Sequence, residues 1–299
     1  ALPLVQESLE LLQTKLGPDH PDTLASINNL ASAYRSLGQM DKAMPLHQQA
    51  VERRTVILGP DHPDTLISIN NLAVAYLGTG QVNLALPLFE ETLESRIVKL
   101  GAEHPDTLLC MHNLAGAYAA NEQNDQAFPL WEKALEIRLV VLGAEHPDTI
   151  ATLGSLARGY QDDQRAAEAV PLLEQAVEAA EKTFGPPHPQ VLSLRNNLAM
   201  AYRNAGRVEQ ALPLLEQVLE VRTAQLGADH PSTLISVHNL ADGYLAAKRF
   251  DDVLPLLEIL RSKLGPDHEY TKRTSAKLIS EWVANRFEVA IPPLLEQLR

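Results

Sequence analysis

From Pro21 onward the apolar residues Ile27, Leu30, Ala31 and Tyr34 fall at i, i+3, i+4 and i+7. That is one stripe of an amphipathic α-helix. The pattern predicts a helix A that starts at His20-Pro21-Asp22-Thr23 and stops near Leu37-Gly38. Proline suits a first helical turn, Asp22 faces the positive end of the dipole, and glycine takes the left-handed conformation that ends a helix. A second stripe, Ala43, Leu46, His47, Ala50 and Ile57, predicts a helix B from about Asp41 to Leu58, closed by Gly59-Pro60. Arg54 near its C-terminal end is expected to complement the helix dipole. Pro45 is expected at the edge of the first turn, fixing the entry of helix B.

The whole unit then returns. Gly17, Gly59, Gly101, Gly143, Gly185 and Gly227 stand 42 residues apart, with a last return at Gly265. His20, His62, His104, His146, His188, His230 and His268 keep step with them. Tyr34 recurs as Tyr76, Tyr118, Tyr160, Tyr202 and Tyr244, and Ala43 as Ala85, Ala127, Ala169 and Ala211. A fixed period of this size marks an array of identical units. The expected fold is all-α, a right-handed superhelical α-solenoid of antiparallel helix pairs.

The expected boundaries are helix B of a truncated repeat at 1–16, then repeats at 17–58, 59–100, 101–142, 143–184 and 185–226. A shortened repeat follows at 227–264 and a degenerate C-terminal capping repeat at 265–299. Ala1-Leu2-Pro3-Leu4 aligns with Ala43-Met44-Pro45-Leu46, so the sequence is expected to open inside a helix B. In the cap, Trp282 replaces the tyrosine, and Lys272, Arg273 and Lys277 suit a face turned to water.

Apolar residues make up 45% of the 299 and aromatics 5%, so small and aliphatic side chains must do most of the packing. A formal charge of −13 argues against nucleic acid as a partner, which calls for a basic surface. No apolar run reaches the roughly 18 residues of a membrane span. The single cysteine, Cys110, excludes an internal disulfide and is read as a buried thiol, compatible with a cytoplasmic location. The repeated histidines invite a metal reading. Equivalent copies would sit at least roughly 10 Å apart, too far to share one ion. They are expected to cap helix A or bond the preceding loop. No Gly-rich phosphate loop, His-Glu-x-x-His or Gly-x-Ser-x-Gly occurs. The chain is therefore read as not an enzyme, with no cofactor and no metal.

Leu-Ala-x-x-Tyr on helix A, followed by alanine and a bulky residue four positions later on helix B, resembles the tetratricopeptide repeat. The usual unit of that family has about 34 residues. The longer unit here, with Asn28-Asn29-Leu30-Ala31, Ala43-Met44-Pro45-Leu46 and Leu58-Gly59-x-x-His62-Pro63, resembles the kinesin light chain type. The resemblance covers the repeats and implies a protein-interaction scaffold, with helix A lining an inner, concave wall. It does not identify a kinesin subunit.

On helix A, positions 25, 28, 29, 32, 35 and 36 are left over from the core stripe and are expected to face that groove. Asparagine, a poor mid-helix residue, recurs there as Asn28, Asn70 and Asn196, with His112 and His238 in register. It recurs again as Asn29, Asn71, Asn113, Asn197 and Asn239. Two roles suit it: contact with the backbone of an extended peptide, or bridges between neighbouring helix pairs. In tetratricopeptide grooves the equivalent asparagine touches ligand backbone, as the resemblance implies. Arg35, Arg158 and Arg203 are candidates to take acidic groups flanking an apolar anchor on a protein or peptide partner, or are ordinary solvated cations. Gly154-Ser155 interrupts the ladder and marks either a bend or a place of close approach. A chaperone-type carboxylate clamp would need lysines near the positions of residues 25 and 28. Ala25, Ile67, Leu109, Ala151, Ser193 and Ile235 stand at the first of these. The leading expectation is an adaptor binding a partner peptide. The alternative is a regulatory, sensing or oligomerisation arm of a larger signalling protein.

Overall fold

The computed structural model describes residues 2–284. Within them every regular element is an α-helix, and two compact units divide the chain at Gly143 and Ala144. Unit 1 holds α1 (Leu2–Leu16), α2 (Pro21–Ser36), α3 (Met40–Leu58), α4 (Pro63–Gly78), α5 (Val82–Leu100), α6 (Pro105–Ala120) and α7 (Asn124–Val141). Unit 2 holds α8 (Pro147–Asp162), α9 (Ala166–Phe184), α10 (Pro189–Asn204), α11 (Val208–Leu226), α12 (Pro231–Ala246), α13 (Phe250–Leu264) and α14 (Glu269–Ala284). The even-numbered helices are A helices and the odd-numbered ones B helices. The later part of the expected cap lies outside the described residues.

Each A helix starts as its residues dictate. Nδ1 of His20 accepts the N–H of Asp22 at 3.2 Å, and His62, His104, His188 and His230 repeat that bond at the same length. A proline occupies the first turn behind each of them, where no N–H is needed. The histidines are therefore N-caps. At the far end, Gly38, Gly80 and Gly206 take positive φ, and the following N–H reaches back to the tyrosine carbonyl, as Gln39 does to Tyr34 at 3.0 Å. Glu122, Gln164 and Lys248 hold the same left-handed position without being glycine.

The core is built at the predicted stripe. Leu24, Ile27, Leu30, Ala31, Ala43 and Ala50 are buried in unit 1, and Leu192, Leu198, Ala199, Ala211 and Leu215 in unit 2. Two helix B expectations need correction. Ile57 is exposed, so the inner stripe ends a turn earlier. Pro45 is the sixth residue of α3, inside its second turn. It and its equivalents lie on the exposed side of helix B, where water can satisfy the carbonyl they leave unbonded.

Arg54 does more than complement a dipole. It is buried, and Nη1 donates to the Asp64 carbonyl at 2.7 Å and to Ser68 Oγ at 2.9 Å, both in the next A helix. Arg96 reaches the Asp106 carbonyl, and Arg222 reaches Ser232 O and Ser236 Oγ. Burial pushes the Arg54 and Arg222 guanidinium pKa values down, opposed at Arg54 by Asp64. At the junction of α9 with α10 this clamp is exchanged. Ala180 stands for the arginine and Leu194 for the serine. One position on, Glu181 pairs at 2.7 Å with Arg195, which occupies the register of core Ile27.

Candidate functional site

Within each unit, successive A helices touch: α2 on α4 and α4 on α6, and likewise α8, α10, α12 and α14. Within each unit no comparable contact joins successive B helices among the described residues. The A helices therefore form the inner side of each stack, and the candidate residues lie along it.

That packing buries the first asparagine row. Asn28, Asn70 and His238 are buried, while His112 and Asn196 are half-buried. Asn28 Oδ1 lies 3.0 Å from Nδ1 of His47. The imidazole of His47 is enclosed, and burial, helped by Arg35, lowers its pKa to about 4. Nδ1 of the neutral ring donates to Asn28, leaving Nε2 buried without a partner. The backbone carbonyl of His112 accepts from Trp131 Nε1 at 3.2 Å. His238 meets Thr274 Oγ1 at 2.9 Å and stacks on Tyr270, with ring centroids 4.7 Å apart. Burial lowers its pKa. Asp242 opposes that shift, and Arg273, Lys277 and Arg203 add to it.

The second row divides. Asn113 Nδ2 donates to Asn70 Oδ1 at 3.3 Å, and Asn239 Nδ2 to Asn196 Oδ1 at 2.8 Å, so these two bridge neighbouring A helices. Asn196 Nδ2 also lies 3.6 Å from Met200 Sδ. Asn29 is exposed, Asn71 and Asn197 are half-buried, and none of the three side chains has a partner in the protein. The acceptor due to Asn71 is Asn28, already bonded to His47, and the one due to Asn197 is missing because Gly154 stands there. The Asn197 carbonyl accepts from Gln161 Nε2 at 3.1 Å.

The arginines differ as well. Arg35 is exposed and forms no ion pair. Arg158 is exposed and lies 3.8 Å from Asp162 on its own helix. Arg203 Nη1 is 3.5 Å from Oδ2 of Asp242, a carboxylate only 6% exposed that also accepts from Lys277 Nζ at 2.6 Å. These three line a cavity of about 380 Å³ together with Asn204, Leu245 and Glu281. Oδ1 of Asp242 is buried there without a hydrogen-bond partner. Sequence reasoning placed Lys277 in the solvent-facing cap and missed its contact with Asp242, because the two lie 35 residues apart in a shortened repeat.

Gly154 is half-buried against α10: a Cβ there would come within 3.2 Å of Leu194 Cδ2. The close approach is thus made by a neighbouring helix of the array. Cys110 is buried in the register of Ser68, and burial raises its thiol pKa to about 11. Among the described residues no group of three or more His, Cys, Asp or Glu could hold a metal ion. No described helix is long and apolar enough to cross a membrane.

A tetratricopeptide repeat family model matches residues 1–55, 24–97, 71–128, 107–182, 154–212 and 190–258. Among solved structures, the nearly identical TPR-like repeats of a Podosopora anserina protein described as a kinesin light chain are 38% identical, with a TM-score of 0.63. The match covers 70% of this chain and 99% of that one. BtubC (BKLC) from P. vanneervenii shares the fold at 20% identity and a TM-score of 0.63, covering 77% of this chain and 92% of that one. A tetratricopeptide repeat protein from Parabacteroides merdae does so at 13% identity and a TM-score of 0.54, covering 92% and 96%. A search of curated proteins finds no match.

Proposed function

We propose that this chain, which belongs to the tetratricopeptide repeat family and is a protein-interaction scaffold, captures extended peptide segments of a partner along the A helices of each unit taken by itself. The observation that carries this reading is the set of asparagines with nothing to bond. Asn29, Asn71 and Asn197 stand on the side where the A helices meet, and each keeps a free donor and a free acceptor. A peptide backbone offers the complement of both. The bonded members of the ladder, Asn70 with Asn113 and Asn196 with Asn239, hold neighbouring helices in place for that contact. Arg35 in unit 1, exposed and in no ion pair, supplies a cation for an acidic side chain of the partner, whereas Arg203 is already paired with Asp242. Leu245, largely buried, and exposed Ala246 form the apolar wall of the cavity beside Arg203. The likeness to kinesin light chain-type repeats supports an adaptor role rather than catalysis.

Selecting peptides from a random display library on the full chain tests this reading. The expected winners carry an apolar residue flanked by Asp or Glu, and Asn29→Ala/Asn71→Ala/Asn197→Ala weakens them while circular dichroism stays helical. Selected peptides that bind the triple variant as well as the parent would overturn the assignment.

A further inference from the structure

The last turns of α3, α5 and α7 carry apolar side chains that nothing in unit 1 covers. Val56, Val98 and Val140 are 85%, 80% and 83% exposed, and they share one position of the 42-residue period. One turn earlier stand Glu52, Glu94 and Glu136, likewise in register, exposed and engaged in no ion pair. Residues four apart are neighbours on a helix surface. Three consecutive B helices therefore each present a valine beside a free carboxylate. A single exposed valine needs no explanation, but three in register along one stack form a repeated apolar feature. A β-branched residue also loses rotamer freedom in a helix, and these valines gain no burial in return.

Unit 2 supplies the contrast. Its equivalent acids, Glu178 and Glu220, are followed four residues on by Lys182 and Ala224. Lys182 Nζ bonds Glu178 at 2.7 Å, so there the carboxylate is neutralised within its own helix and the valine is gone.

We propose that the B-helix face of unit 1 docks an amphipathic segment of a second partner protein. Its apolar side chains pack on Val56, Val98 and Val140, and its flanking lysines or arginines pair with Glu52, Glu94 and Glu136. The sign follows from the charge. Three unpaired carboxylates in a chain of net charge −13 attract a basic segment and repel an acidic one. A second copy of this chain, meeting the same face with the same face, would set carboxylates against carboxylates. The surface lies on the B helices, apart from the free asparagines of the A helices, so the two contacts are independent. An adaptor needs two such contacts.

The test is fluorescence anisotropy on the full chain with a labelled synthetic helix carrying leucines at i, i+3, i+4 and i+7 flanked by lysines. A matched peptide flanked by glutamates is the control. The lysine peptide is expected to bind, and the glutamate peptide to bind at least about tenfold more weakly. Val56→Ser/Val98→Ser/Val140→Ser should cost about tenfold or more in affinity. Glu52→Gln/Glu94→Gln/Glu136→Gln should weaken binding and flatten its salt dependence. Asn29→Ala/Asn71→Ala/Asn197→Ala should change nothing, which separates this surface from the peptide face. The proposal is overturned by any one of three results: no binding of the lysine peptide, equal binding to the valine variant, or a self-associated chain that the valine substitutions dissociate.

Discussion

Asn113 donates from Nδ2 to Oδ1 of Asn70, one repeat behind it, at 3.3 Å, and Asn70 is buried. The bond splits the asparagines into bridging and free members. Asn113→Ala leaves the Asn70 oxygen buried without its donor, which costs about 1–3 kcal/mol. Asn71→Ala removes a side chain with no partner and gains a few tenths of a kcal/mol of helix propensity, about 0.5 at most. Urea denaturation should move to lower midpoint for the first variant and stay level or rise for the second. Equal losses at both sites would show that the division drawn from the hydrogen bonds is wrong.

Arg54 ties α3 to α4 through one charged side chain and two acceptors. A hydrogen bond to a charged group contributes about 1.5–3 kcal/mol, against which stands the desolvation of the guanidinium. Arg54→Ala is expected to destabilise by about 2 kcal/mol. Arg54→Lys should recover only part of that loss, because Nη1 alone makes both bonds and the lysine side chain ends one bond short of it. Thermal midpoints of the two variants check this, and an Arg54→Ala midpoint equal to the parent's would exclude the two-acceptor clamp.

The helices were legible because each carries its own signals: Ile27, Leu30, Ala31 and Tyr34 mark a face, His20-Pro21 a start and Gly59 a stop. The contacts between repeats were not. Arg54 reads locally as a cation at a helix end, and its acceptors lie 10 and 14 residues on, in the next repeat. A signal did exist in the joint variation of positions: 14 residues after each arginine stands a small side chain with an oxygen or sulfur, at Arg54–Ser68, Arg96–Cys110, Arg138–Thr152 and Arg222–Ser236, whereas Ala180 is followed by Leu194. Asn28 and Asn70 were expected to face a groove. Helical periodicity assigns a face but cannot tell open water from a neighbouring A helix, and it is the contact of α2 with α4 and α4 with α6 that buries them. The candidate site was therefore legible as a surface, while which of its amides remain free depends on His47 and Gly154.

Gly154 and Leu194 fit each other. With a Cβ at residue 154 already within 3.2 Å of Leu194 Cδ2, Gly154→Asn, which restores the residue found in the same register at Asn28 and Asn70, should force Leu194 aside. Overpacking of this kind costs about 1–3 kcal/mol. Adding Leu194→Ser, the residue in register at Ser68 and Ser236, should relieve most of the loss. A double-mutant cycle on denaturation midpoints reads the coupling directly, and additive effects would mean that the two side chains do not meet.

His47 makes unit 1 sensitive to acid. Its folded pKa of about 4 lies below the ordinary value of 6.5, since burial and then Arg35 disfavour the imidazolium. The unfolded chain therefore takes up the proton first. Stability is undiminished above pH 6.5, falls as pH drops through the window down to about 4, and changes no further below it on this account. At one pKa unit per roughly 1.4 kcal/mol, the full loss is about 3 kcal/mol. His47→Leu, the side chain that fills the same register at Leu173 and Leu215, removes the titrating group. The variant should lose markedly less thermal stability than the parent between pH 7 and pH 4.5, whatever the other carboxylates and histidines contribute to both. Parallel pH profiles for the two proteins would mean that His47 takes up its proton as readily in the folded chain as in the unfolded one.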